Sequence, residues 1–349
     1  MSNYDQFAAA VKEISGGKNV VLLDDLGLPS VYVPINKLKN SEIISGGSEN
    51  THPAFSVDGV EKSRFLYSKY QNIVINGRAY SLSHRDPKTY VNFDQARQAC
   101  EAKGAGFHLG TLAEWAAVAL LTRKMGTMPH GNNNYGGDSA YTYEKGQESA
   151  KDNNKTERTF TGSGPATWGH DHTQFGIQDM NGNVWEWLGG MRLNEGEIQI
   201  IPYNNAALGS ECDMSASSTL WKAIKNDGSL VAPGTAATLK YDFVSNNIQL
   251  TTGITSAQDA GRGGSYTAMT LASGVTAPEL AKALILYPDE PGKDYGGDYH
   301  WMNNAGERLP IAGGDWIHGA DAGVFYLSLY DARSHSLGNL GFRSAYVEL

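Results

Sequence analysis

Residues 176–187 read Gly176-Ile177-Gln178-Asp179-Met180-Asn181-Gly182-Asn183-Val184-Trp185-Glu186-Trp187. Trp185 and Trp187 flank Glu186 at the two-residue period of a strand, which turns both rings to one side and the carboxylate to the other. Gly182-Asn183, just before them, supplies a turn. Two indoles on one face predict a buried aromatic core, with Asn183 bonding to backbone, because burial is the default use of Trp. Asp179 and Glu186 are the oxygen donors on which a Ca²⁺ site would draw, yet their spacing matches no established cation loop.

Working outward, residues 92–102 and 111–121 each begin at a cap residue and space apolar side chains by three or four, which predicts two helices; Thr111 with Glu114 is a capping box. Residues 72–75 and 79–82 around Asn76-Gly77 predict a hairpin, and residues 54–57 and 64–69 further strands. Near the start, residues 5–15 predict a short amphipathic helix with Phe7, Ala10, Val11 and Ile14 on one face, followed by strands at 20–23 and 31–35. Ser45-Gly46-Gly47-Ser48-Glu49-Asn50 reads as a linker. Residues 125–175 and 194–260 show little periodicity and read as long surface insertions.

Composition narrows the function classes. The chain has 349 residues, 40% apolar and 19% charged, with no apolar run of the roughly 18 residues a membrane span needs. Its 41 glycines, 18 tyrosines and 7 tryptophans favour a loop-rich, aromatic-cored fold over a helical bundle. A net charge of −9 without a Lys/Arg cluster argues against nucleic acid as partner. Cys100 and Cys212 are the only cysteines, too few for a disulfide scaffold and wrongly spaced for zinc. Met1-Ser2-Asn3-Tyr4-Asp5 lacks the basic start and apolar run of a secretion signal, so synthesis and folding in the cytoplasm are expected.

The 176–187 stretch resembles the formylglycine-generating-enzyme branch of the C-type lectin fold. Three further stretches resemble that branch in order: Leu112-Ala113-Glu114-Trp115, Gly313-Gly314-Asp315-Trp316 and Gly341-Phe342-Arg343-Ser344-Ala345. The resemblance covers residues 51–349. It implies an α+β C-type lectin fold with long loop insertions, preceded by a small β-rich unit at residues 1–50 that serves attachment or homo-oligomerisation. The oxidase members carry a reactive cysteine pair near the C-terminal end of the fold, and that pair is missing here. Cys100 lies in a helix among apolar neighbours and reads as a buried small hydrophobe. His170-x-His172, the only close histidine pair, sits in a Gly-rich loop and reads as solvated. No Ser-His-Asp arrangement or phosphate-cradling loop stands out.

Residues 301–349 resemble the variable region of phage and bacterial proteins diversified by retroelements, in which template adenines are randomised while a scaffold stays fixed. The frame here includes Gly313-Gly314, Trp316, Gly319-Ala320, Leu327, Leu329, Ala332-Arg333-Ser334 and Gly341-Phe342-Arg343. Interposed are Asp315, Ile317, His318, Asp321, Ser328, Tyr330, Asp331, His335, Leu337, Gly338 and Asn339. Each is reachable from an Asn codon by changing adenines alone; Lys, Gln, Glu, Met and Trp, which are unreachable, do not occur among them. Leu327 and Leu329 alternate with Ser328 and Tyr330, so a strand would send the leucines inward and the interposed residues outward. The resemblance implies a non-catalytic binding protein without cofactor. The eleven interposed residues would contact a variable protein or glycan on a bacterial surface, from a virion (phage tail) or from a host-encoded counterpart. The alternative it implies is a formylglycine-generating-type oxidoreductase. The calcium-linked sugar-binding signatures of lectins are absent, so a carbohydrate ligand rests on fold analogy alone.

Overall fold

A computed structural model describes residues 3–349. The helix Leu112–Met125 lies at its centre. It begins with the expected capping box, Thr111 Oγ1 accepting from the Glu114 amide while Glu114 Oε2 accepts from the Thr111 amide, and it stops at Gly126 in the left-handed region. Every residue from Leu112 to Leu120 is buried, so this helix is covered on all sides rather than amphipathic. The helix Phe93–Glu101 is one-sided, burying Phe93, Ala96, Ala99 and Cys100.

One antiparallel sheet runs in the order Val20–Leu23, Pro29–Asn36, Arg64–Ser68, Ser344–Tyr346, Phe107–Leu109. The division expected at residue 50 falls between two strands of this sheet, since Pro29–Asn36 pairs with Arg64–Ser68 from Tyr32↔Ser68 to Asn36↔Arg64. Val33 and Ile35 join the main core. Outside it lies the helix Asn3–Ile14, which buries none of its residues: Phe7 and Ile14 of the expected apolar face are exposed. The Asn76-Gly77 hairpin forms as expected, with Ile73–Ile75 paired to Arg78–Tyr80. The strand expected at 54–57 is instead mostly a 3-10 turn, Pro53–Phe55, because Pro53 opens it and His52 caps it through the Ala54 amide.

The second sheet is large and mixed. Its path includes Arg262–Ser265, Tyr299–Met302, Leu327–Asp331, Glu307–Ala312, Met191–Asn194, Glu197–Ile200, Lys240–Val244 and Asn247–Thr251. This corrects the reading of 194–260 as a surface insertion: the segment contributes several strands and the buried side chains Ile198, Ile200, Trp221, Leu239, Tyr241 and Leu250. Residues 125–175 do carry little regular structure beyond a short hairpin and a 3-10 turn.

Trp185–Trp187 is a short strand, antiparallel to Glu307–Ala312 and parallel to Leu340–Phe342. Its two rings share one core cluster, and Glu186 points the other way. Asn183, held at φ 62°, donates to Gln71 and meets both the amide and the carbonyl of Thr159, as the backbone-bonding role requires. No helix among the described residues is long and apolar enough to cross a membrane.

Candidate functional site

Gly313 and Gly314 make a turn whose positive φ and tight surroundings exclude a side chain: a Cβ on Gly314 would lie 2.7 Å from Ala322 and one on Gly313 2.9 Å from the Met180 carbonyl. The turn delivers Ile317 and His318 to one wall of a cavity of about 500 Å³. The floor is set by register. Ser328 pairs with Trp301 on one neighbouring strand and with Ile311 on the other, so the three side chains share a face of the sheet. Tyr330 and Asp331 continue that strand, and Leu337 and Asn339 come from the loop before Leu340. Beneath them Leu327, Leu329, Phe325 and Phe342 are fully buried.

Seven of the eleven interposed residues therefore line one cavity: Ile317, His318, Ser328, Tyr330, Asp331, Leu337 and Asn339. Three chain segments converge there. Ile317, Tyr330 and Leu337 are exposed, Tyr330 to 42%, whereas Ser328 and Asp331 are 4% and 5% exposed. Ser328 and Tyr330 both turn to the cavity, away from the buried Leu327 and Leu329, but only Tyr330 reaches solvent, because Ser328 is flanked by Trp301 and Ile311.

The remaining four differ. Asp315 is fully buried: one oxygen meets His318 Nδ1 at 2.6 Å, and the other accepts from the Asn339 side chain. It ties the glycine turn to the last loop from below and touches no solvent. Asp321 is exposed in the 3-10 turn Gly319–Asp321, outside the cavity. His335 is half-buried beside the cavity, its Nδ1 2.8 Å from Asp331 Oδ1 and its ring centroid 6.4 Å from that of Tyr330. Gly338 packs toward Tyr90, and its carbonyl accepts from Arg158.

The cavity also uses residues outside the interposed set. Trp185 and Tyr326 form a wall with ring centroids 4.5 Å apart, and Trp301 donates through its indole to Tyr326 Oη at 3.0 Å. Gly261, which lies just past the 194–260 segment, lets Tyr330 lie close; a Cβ there would sit 3.0 Å from the ring. Trp185 carried a sequence signal, but one that reads as core, and at 6% exposure it is both core and lining.

A second, more polar cavity of about 360 Å³ lies beyond the Gly319–Asp321 turn. His130 stacks on Tyr141 there at 3.8 Å, and burial pushes the Asp298 carboxyl up to about 8 while its Oδ2 accepts from the Phe325 amide.

The positions considered for metal or redox chemistry are otherwise engaged. Glu186 receives Arg343 at 2.6 Å and 2.7 Å and Gln71 at 3.0 Å, so a guanidinium stands where a Ca²⁺ would have to be. Asp179 is pushed up to about 6 by burial, which disfavours the charged form a cation needs. The donor set does not fit Ca²⁺. Cys100 and Cys212 are both buried, and burial raises both thiols, Cys212 to about 11. His170, expected in solvent, is buried, its Nδ1 accepting from the Ile177 amide.

Among solved structures the chain is similar to Treponema denticola variable protein 1, at 13% identity over 94% of this chain and 98% of that one, with a TM-score of 0.34. It is similar to the Major Tropism Determinant U1 variant, at 10% identity over 90% of this chain and 62% of that one (TM-score 0.31). The P3c variant of the same determinant gives 10% identity over 94% and 71% (TM-score 0.31). No curated protein sequence matches. The family match ends before the cavity-lining loops: residues 38–270 match the sulfatase-modifying factor enzyme 1-like domain, FGE-sulfatase, and the chain belongs to that family.

Proposed function

We propose that the chain is a non-catalytic binding protein presenting a retroelement-diversified surface, carried on a virion and directed at a variable protein or glycan of a bacterial surface. The observation that supports this is the convergence of Ile317, His318, Ser328, Tyr330, Asp331, Leu337 and Asn339, drawn from three segments, on one cavity. Exposed aromatic and aliphatic anchors among adaptable polar groups are what such a surface requires. Residues 1–50 provide attachment or self-association. The Asn3–Ile14 helix, with an apolar face and no buried residue, suits that role.

Sequencing the encoding gene and its flank tests the reading. A near-copy of the last codons, carrying adenines where residues such as Tyr330 and Leu337 are encoded, is expected beside a reverse-transcriptase gene; absence of any such copy removes diversification. The family membership also raises an oxidoreductase. Against it stand two buried thiols whose nucleophilic thiolate forms are suppressed. Incubation with copper, oxygen and a cysteine-containing sulfatase peptide should yield no formylglycine; turnover would reinstate the enzyme.

A further inference from the structure

Resting on that reading of the cavity, we propose that it accepts a cationic side chain, arginine or lysine, of a protein target. Its walls are aromatic: Trp185, Trp301, Tyr326 and Tyr330 all line it. Ring faces attract an ammonium or guanidinium within about 6 Å of their centroids, and more strongly where water is excluded. At the base lies Asp331, with 5% exposure. One of its oxygens is held by His335 Nδ1 at 2.8 Å, while no hydrogen bond among the described residues reaches the other. Burial raises the Asp331 carboxyl above its ordinary range, outweighing the His335 hydrogen bond and the more distant Arg308 charge, which lower it.

None of the cavity's lining residues is Lys or Arg. The nearby arginines make no hydrogen bond to Asp331: Arg308 donates to Asp259 and the Ala305 carbonyl, and Arg262 to Ser256 and Asn304. An aliphatic anchor would fill the aromatic walls yet leave the Asp331 oxygen desolvated and unpaired, a costly arrangement. An acidic anchor would add repulsion. A cation satisfies both the rings and the carboxylate, and the chain's charge of −9 favours its approach.

The test uses the full chain with four probes: N-acetyl-arginine amide, N-acetyl-lysine amide, N-acetyl-leucine amide and choline. Indole N–H resonances of Trp185 and Trp301 report occupancy. Saturable shifts are expected with the arginine or lysine amide, about tenfold weaker with the leucine amide and choline. Asp331→Asn should weaken the cationic amide about tenfold while circular dichroism stays unchanged, and Trp301→Leu, which leaves Asp331 intact, should weaken it too. The proposal is overturned if the leucine amide binds as well as the cations, if choline binds and the amides do not, if no probe binds, or if both variants fold and bind unchanged. Failure of the recognition-site reading looks different: a bacterial target would then be captured equally by wild type and by an Ile317→Ala, Tyr330→Ala, Leu337→Ala triple variant, whatever the amides do.

Discussion

The Trp185–Trp187 strand has a closed side and an open side. On the closed side, Arg343 spends its five N–H donors on Glu186 twice, on the Ser68, Lys69 and Asp179 carbonyls, and has none left. On the open side, past Trp185, the exposed Ile317, Tyr330 and Leu337 rim a cavity. Where every donor has one acceptor, no replacement satisfies the same set. Where side chains end in solvent, many do. Asp315 stands among the interposed residues in sequence, yet by its bonding it belongs with the closed side.

The sharpest way to break this contrast is Arg343→Ala, which strands Glu186 without its partner. Urea unfolding should report a loss of about 3–5 kcal/mol, and Phe342→Ala, at the end of the preceding strand, a similar loss by cavity formation. A loss under about 1 kcal/mol would mean that the knot is not what holds the two sheets. Asp315→Ala comes next. It leaves the His318 and Asn339 donors without a partner and should cost about 1–3 kcal/mol by the same measurement. If it costs nothing, Asp315 rejoins the changeable rim.

Asp298 supplies a pH-dependent member of the series. Its folded value of about 8 stands above the unfolded 3.8, so the folded chain binds the extra proton between them. The stability it contributes is full below about pH 4 and is lost as pH rises through about 8. Thermal unfolding of Asp298→Asn, compared with wild type at each pH, should gain on wild type by up to about 1.4 kcal/mol per unit in that window. A difference independent of pH would show that Asp298 does not hold the proton. The smallest effect is expected at the rim: Tyr330→Ser, Leu337→Asn and Ile317→Ser should each shift unfolding by within about 0.5 kcal/mol. Losses there as large as at Arg343 would erase the distinction between the two sides.

Much of this was legible where local chemistry decides. The Thr111 and Glu114 side chains cap their own helix, and Asn76-Gly77 turns its own hairpin, so no distant residue is needed to read them. The strands between 194 and 260 escaped because they are two to five residues long and close-set, and those such as Glu197–Ile200 are buried on both faces, which erases alternation. The site was half legible. A frame of Gly, Trp and Leu marked which residues stand between its members, but not depth. Asp315 lies under His318 and Asn339, and Ser328 between Trp301 and Ile311, for reasons supplied by segments 24 and 27 residues away or closer. Trp185 escaped because one ring can be core on one edge and cavity wall on another.

The strand Ser344–Tyr346 enters the first sheet between Arg64–Ser68 and Phe107–Leu109, and its neighbour Leu340–Phe342 docks on Trp185–Trp187. A growing chain therefore cannot finish this sheet until residue 346 has left the ribosome, and assembly must wait for contacts between its far ends. The residues of the cavity loops are all made before that closing strand. The Arg343 to Glu186 contact, made just before that strand, therefore forms only after the 315–339 loops are complete, and a loop that kept the two apart would leave the sheet unclosed.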